Sequence, residues 1–284
     1  MNSIAATGVT SGFGSNWLSL LDSKVEADIY VLARDRGKYN RLLASNTFNN
    51  PLHFVECNLA SMKSMEVAAQ FIRNQTDSLD VLINNAGVWS ENNRCLSEDG
   101  IELTLAVNQL APYKLTGELL PLLNNASSAR IVNTASFRHS DAKVHLTDIE
   151  LKEGYSAAQA YCNSKLFTIL FTQQLSRRLE NSNLTVNCFD PGIVDTPMLR
   201  QALPPSMALL YPLFRKLVAR TPDKGAETGA FLSTNTSCEN INGRYFKDMK
   251  ERKTSKLASD SSLETWLWSE SERLTGFTYP LRGI

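Results

Sequence analysis

Short apolar runs that alternate with helix-patterned segments constrain this chain more than any other feature. SIAAT (3–7), DIYVLA (28–33), LHFVEC (52–57), LDVLIN (79–84), ARIVNTAS (129–136) and LTVNCFD (184–190) are continuous apolar stretches. Strands buried on both faces read this way. Helix-patterned segments fill the gaps at 15–21, 36–45, 61–75, 98–123 and 156–181, with Ser61 placed to cap the third. Strand–helix–strand repetition implies right-handed crossovers and a parallel sheet with helices on both faces. GRYFKD (243–248) adds a seventh strand, and 221–234 and 261–274 add two helices. Thr221 is the N-cap of the first of these and Pro222 its first residue. No linker, repeat or low-complexity segment interrupts the series, so one α/β domain over 1–284 is expected, with a doubly wound, mostly parallel, seven-stranded sheet.

Bulk properties exclude several functions. Lys+Arg and Asp+Glu are both 29 in 284 residues, so no net field draws the chain to nucleic acid. The five cysteines form no C-x-x-C pair and suit free thiols in a reducing compartment, so a cytoplasmic location is expected. His53, His139 and His145 make no ligand pattern, and no metal is expected. No signal peptide precedes residue 7, and no apolar run reaches the roughly 18 residues of a membrane span, so no transmembrane anchor is expected. Asn-x-Ser/Thr sequons at Asn74, Asn125, Asn183 and Asn235 read as chance, and SKL at 255–257 is internal and no address.

TGVTSGFGSN (7–16) lies between the first strand and the first helix. Backbone N–H groups and a helix N-terminus converge there, and Gly8, Gly12 and Gly14 would let a pyrophosphate approach the backbone, beside Thr10, Ser11 and Phe13. The residue that reads the adenosine ribose should end the second strand. Arg34 stands there, and a guanidinium suits the 2′-phosphate of NADP. Asp35 follows it, and could take a 2′-hydroxyl as in NAD binding or pair with Arg34. NADP is the favoured cofactor.

TGVTSGFG resembles the T-G-x-x-x-G-x-G fingerprint of the short-chain dehydrogenase/reductase family, and the likeness continues along nearly the whole chain. NNAG (84–87), VN (107–108), NTAS (133–136), YCNSK (161–165) and DPGIVDT (190–196) match that family's motifs in order. Ser136 and Tyr161 are 25 residues apart, and the intervening insert, together with ARD at 33–35 and LWSESERLTG near the end, looks like the retinol-dehydrogenase-type branch and the oxidoreductase part of WW-domain oxidoreductases. The resemblance implies a Rossmann-type fold and a catalytic set of Asn108, Ser136, Tyr161 and Lys165. It implies that Lys165 also holds the nicotinamide ribose, that Asn85, Ala86 and Gly87 line the adenosine ribose side, and that Asn58 and Leu59 meet the adenine. Pro191, Gly192, Val194 and Thr196 would meet the nicotinamide. Asn58 stands where the family often has Asp, and Asp190 where the branch often has His. A dimer or tetramer through the two long helices is also implied.

Tyr161 and Lys165 share one helix face, and an ammonium beside a phenol should lower the phenol pKa toward working pH. That yields an acid for carbonyl reduction or a base for alcohol oxidation, with Ser136 donating to the carbonyl oxygen and Asn108 linking Lys165 to a water or backbone carbonyl. Tyr155 has no lysine four residues on and is not expected to take part. The segment 196–220 is the expected lid. Met198, Leu199, Leu203, Met207, Leu209, Leu210, Tyr211, Leu213 and Phe214 would give it an apolar wall for a small lipophilic carbonyl or alcohol, an oligomer contact or a membrane-docking face. Two other functions share these motifs. A non-catalytic NADP(H)-binding sensor or scaffold would have no need of the Ser136–Tyr161 pair. A sugar-nucleotide epimerase would favour a different glycine spacing and a longer C-terminal domain.

Overall fold

The computed structural model describes residues 2–90, 93–180, 182–202, 211, 215 and 217–280. Its strands are β1 (Ser3–Thr7), β2 (Asp28–Ala33), β3 (Leu52–Glu56), β4 (Val81–Asn84), β5 (Ala129–Thr134), β6 (Leu184–Phe189), β7 (Tyr245–Lys247) and β8 (Lys250–Glu251). They form one sheet in the order β3-β2-β1-β4-β5-β6-β7-β8. The first seven are parallel and β8 pairs antiparallel with β7, so the sheet has eight strands where the sequence predicts seven. β8 is a two-residue return beyond a hairpin, too short to leave an apolar signature.

Period-2 alternation splits each strand between two cores. Ile4, Ala6, Ile29, Val31, Val81 and Ile83 face one way and pack with Trp17, Leu18 and Leu21 of α1 (Phe13–Asp22), Tyr39 and Leu42 of α2 (Arg36–Ser45) and two alanines of α8 (Pro222–Thr234). Ala5, Tyr30, Leu32, Leu82 and Ile131 face the other way, toward α3 (Met62–Arg73), α5 (Ala111–Asn125) and α6 (Ala157–Arg178). Both faces of each central strand are therefore covered, which is why its sequence reads as unbroken apolar. A side chain at Gly229 would come within 2.8 Å of Trp17, so that glycine sets how closely α8 lies on α1.

The predicted caps of α3 and α8 are present: Ser61 accepts from the Ser64 N–H and Thr221 from the Lys224 N–H, with Pro222 opening the helix. The long helix expected from 98 starts five residues later. Ser97 and Ile101 close a loop first, and the Glu102 carboxylate caps α4 (Leu103–Leu105) by accepting from the Thr104 and Leu105 N–H groups. A π-helical turn, Ala106–Leu110, joins α4 to α5.

The outer side of α5 and a flank of α6 are covered by the chain's own C-terminal part. Trp268 of α9 (Ser261–Thr275) and Tyr279 stack around Tyr113 at ring separations of 5.2 and 4.9 Å. The Tyr279 hydroxyl donates to the Tyr113 carbonyl at 2.7 Å, and Phe277 lies against Gly117. These are the two helices to which the family resemblance assigns a subunit contact; on this flank their surface is already taken. Within the expected lid, α7 (Pro197–Ala202) carries Met198 and Leu199, and the Tyr211 hydroxyl donates to Asp195. Leu203, Met207, Leu209, Leu210, Leu213 and Phe214 lie outside the described residues.

Candidate active site

Winding reverses between β1 and β4. A crevice opens there, at the carboxyl ends of the strands, as it does generally in open α/β sheets. Gly8 leaves β1 with φ 67°, and a Cβ on it would fall 2.5 Å from the Ala86 nitrogen. Gly12 caps α1 at φ 61°, ψ −149°, a region only glycine adopts with ease, and no side chain caps the helix. A Cβ on Gly14 would sit 2.0 Å from the Gly8 carbonyl. The turn is thus packed backbone to backbone, with the first N–H groups of α1 facing outward past it. Thr10 is half-buried, Ser11 exposed and Phe13 packed on the α1 core.

Two residues behind the turn hold it in place. Thr7 accepts from the Asn85 and Ala86 N–H groups at 3.1 Å each and donates to the Ile83 carbonyl, which locks the ends of β1 and β4 together. The buried Asn85 amide donates to the Gly8 carbonyl at 2.8 Å and accepts from Thr134. The Asn85 side chain therefore ties the loop to β5. Thr7 is a site residue that the sequence reading omitted, although it is the threonine of the glycine fingerprint.

A cavity of about 290 Å³ lies in front of this frame, lined by Gly8, Thr10, Arg34, Asn58, Leu59, Ala86 and Gly87. Lys38, unforeseen from the sequence, adds a second cation to the Arg34 side. Asp35 lines the same cavity. It is the N-cap of α2, its carboxylate accepts from the Lys38 N–H at 3.0 Å, and among the described residues Arg34 has no salt-bridge partner. The Asn58 side chain is engaged at both ends, donating to Glu98 and accepting from the Ala60 N–H.

A second cavity, of about 250 Å³, lies beyond the ends of β5 and β6. Ser136 and Tyr161 line it together with Gly192, Val194 and Thr196, and Trp89, Phe137, Ile193, Met198 and Leu199 make its wall apolar. Pro191 is buried beneath it, and Thr196 also meets Gly12 of the glycine turn. Ser136 lies near enough to Tyr161 to favour its ionised form, and the Tyr161 ring rests 4.9 Å from that of Trp89. The π turn brings Asn108 against Val88, whose N–H it accepts at 2.8 Å and to whose carbonyl it donates at 3.0 Å. Lys165 is buried, donates to the Thr134 carbonyl at 2.8 Å and lies 5.5 Å from the Tyr161 ring. Asn108 and Lys165 flank Gly87 without touching: a Cβ there would be 3.4 Å from one and 3.8 Å from the other. Tyr155 sits apart, with its hydroxyl on Glu102.

The electrostatics reverse one expectation. Burial pushes the Tyr161 phenol up to about 12; Ser136 and Arg138 oppose the rise and Asp190 adds to it. Burial likewise pulls Lys165 down to about 8. Desolvation disfavours the charged form of both groups and is the largest cause of each shift. Tyr161 is thus held protonated, as an acid. Asp190, the departure noted in the sequence, is buried, accepts from the Gly192 N–H at 2.9 Å and pairs with Lys247 at 3.0 Å, so it braces the turn that carries Gly192.

The family model for short chain dehydrogenases matches residues 2–205. Retinol dehydrogenase 14 of Mus musculus is 38% identical over 225 residues, 78% of this chain and 66% of its own length. Retinol dehydrogenase 13 of Homo sapiens is 32% identical over 288 residues, 98% of this chain and 85% of its own. A short chain dehydrogenase from Burkholderia cenocepacia J2315, solved in complex with NADP, superimposes with a TM-score of 0.67 at 23% identity, covering 86% of this chain and 95% of that one. With the glycine turn, the serine–tyrosine pair and the buried lysine on one crevice, the chain belongs to the short-chain dehydrogenase/reductase family of oxidoreductases, in its retinol-dehydrogenase-type branch.

Proposed function

We propose that the protein is an NADP(H)-dependent oxidoreductase that interconverts a lipophilic aldehyde or ketone and its alcohol, with Tyr161 as general acid and base. The observation that carries this reading is that Ser136 and Tyr161 line one apolar cavity, with Lys165 in the next turn of the helix. The glycine turn packs backbone on backbone and leaves the N-terminus of α1 without a side-chain cap, which fits a dinucleotide pyrophosphate. Gly8, Ala86 and Gly87 would hold the adenosine side, and Val194 and Thr196 the nicotinamide side. Arg34 and Lys38 favour a 2′-phosphate, while Asp35, which lines the same cavity, spends one carboxylate oxygen on capping α2.

A nicotinamide held beside Val194 and Thr196 would supply or take the hydride. The protein moves the proton. Ser136 Oγ donates to the carbonyl oxygen as charge develops on it, and Tyr161 Oη delivers the proton to the same atom. Alcohol oxidation runs this transfer backward. Lys165 stands ready to place its charge beside the phenol, and Asn108 fixes the Val88 backbone that borders it. The wall of Trp89, Phe137, Ile193, Met198 and Leu199 suits a lipophilic substrate, in keeping with relatives named for retinol. Following NADPH and NADH absorbance in parallel over a panel of aldehydes and ketones tests the proposal. Turnover that disappears in Tyr161→Phe while NADPH still binds supports it. Turnover that survives in Tyr161→Phe refutes the role given to the tyrosine, and no turnover of any carbonyl favours a cofactor-binding scaffold.

A further inference from the structure

Arg138 is out of place in an apolar cleft. It sits in the 3-10 turn that follows Ser136, lines the same cavity as Tyr161, and among the described residues is the one charged side chain to do so. Its charge lies near enough to act on the Tyr161 hydroxyl. A guanidinium offers five N–H donors. Here one meets the Cys162 sulfur at 3.4 Å, a weak acceptor. Nε lies 3.3 Å from Asp141, yet is buried without a well-aligned hydrogen bond among the described residues. Asp141 is more than half exposed and three residues away on the same turn, an arrangement that binds an arginine weakly. Neither partner matches the planar, two-pronged acceptor for which a guanidinium is built. A cation in this position adds little to gripping a plain hydrocarbon chain.

We propose that Arg138 makes the protein select, among lipophilic carbonyl compounds, those that carry a carboxylate away from the reacting carbonyl. The apolar wall grips the body of such a molecule, Ser136 and Tyr161 meet its carbonyl oxygen, and Arg138 receives the carboxylate. This rests on the oxidoreductase reading above and narrows its substrate class.

Matched pairs test it: 4-carboxybenzaldehyde against methyl 4-formylbenzoate, and 8-oxooctanoate against octanal. Each is assayed for kcat/KM with NADPH in the wild type, Arg138→Leu and Arg138→Lys. The acid is expected to exceed its neutral partner by about tenfold or more in the wild type, as one charge-assisted hydrogen bond would give. In Arg138→Leu the ratio should fall to about one or below, with Arg138→Lys between, and salt should shrink the wild-type ratio. Equal values for both members of each pair in the wild type, or a preference that Arg138→Leu leaves intact, overturns the proposal. If neither member of any pair turns over, the oxidoreductase reading fails, and calorimetry decides the role of Arg138 separately. Binding of 4-carboxybenzaldehyde to the NADP-loaded protein that is lost in Arg138→Leu supports the proposal; binding that is absent, or unaltered in the variant, overturns it.

Discussion

The two cavities of the crevice are built from different materials. The one beside β1 and β4 is framed by backbone: Gly8 against Ala86, Gly14 against Gly8, and Thr7 accepting from two N–H groups. The one beyond β5 and β6 is framed by side chains: Trp89, Phe137, Tyr161, Met198 and Leu199. On the function proposed above, a backbone frame would recognise what every dinucleotide shares and leave discrimination to Arg34 and Lys38 at its rim. A side-chain frame can be altered one residue at a time without disturbing the sheet. Constancy thus sits on one side of Gly87, and chemistry and variety on the other.

The largest effect expected from breaking this contrast is chemical. Tyr161→Phe removes the proton donor and should lower kcat by about 10²–10⁴-fold, while NADPH affinity, measured by fluorescence titration, stays near wild type. Gly14→Ala tests the backbone side. Its methyl must displace the Gly8 carbonyl 2.0 Å away, so a stability loss of about 2–3 kcal/mol by denaturant titration and weakened binding of both cofactors are expected. A variant with normal stability and normal cofactor affinity would show that the turn is not close-packed. Arg34→Ala sharpens the comparison at the rim. Loss of one charge-assisted contact of about 1.5–3 kcal/mol should raise the KM for NADPH roughly tenfold to a hundredfold and leave that for NADH unchanged.

The smallest expected effect is the response to pH. Lys165 carries its charge below about 8 and loses it above, whereas Tyr161 keeps its proton up to about 12. Carbonyl reduction at saturating NADPH should therefore hold steady through neutral pH and decline by several-fold as pH rises past about 8, when the charge beside the phenol disappears. A rate that climbs through that range would mean the lysine acts uncharged.

Local signals carried most of the frame. The apolar runs marked six strands because the central ones are covered on both faces, and the caps Ser61 and Thr221 could be read because a cap acts within its own turn. Long-range partners were less legible. Asp35 was ambiguous beside Arg34 until its carboxylate was seen on the Lys38 N–H. The two partners of the Asn85 amide, Gly8 and Thr134, lie far from it in the chain, and no motif spacing reveals them. Lys38 stood on a charged helix with nothing to single it out, and only the cavity reveals it. The covering of α5 by Phe277 and Tyr279 joins residues more than 150 positions apart, beyond any periodicity.

By itself the sequence determined the alternation that winds the sheet, the glycine turn and the order of the site residues, since these depend on neighbours within a few positions. The tertiary structure alone decided how those residues are charged. Tyr161 and Lys165 are four apart in either description, but the depth at which each is buried is set by the elements packed around α6. Desolvation at that depth holds the phenol protonated and loosens the proton of the amine, because moving a charge out of water costs more than one neighbouring charge returns.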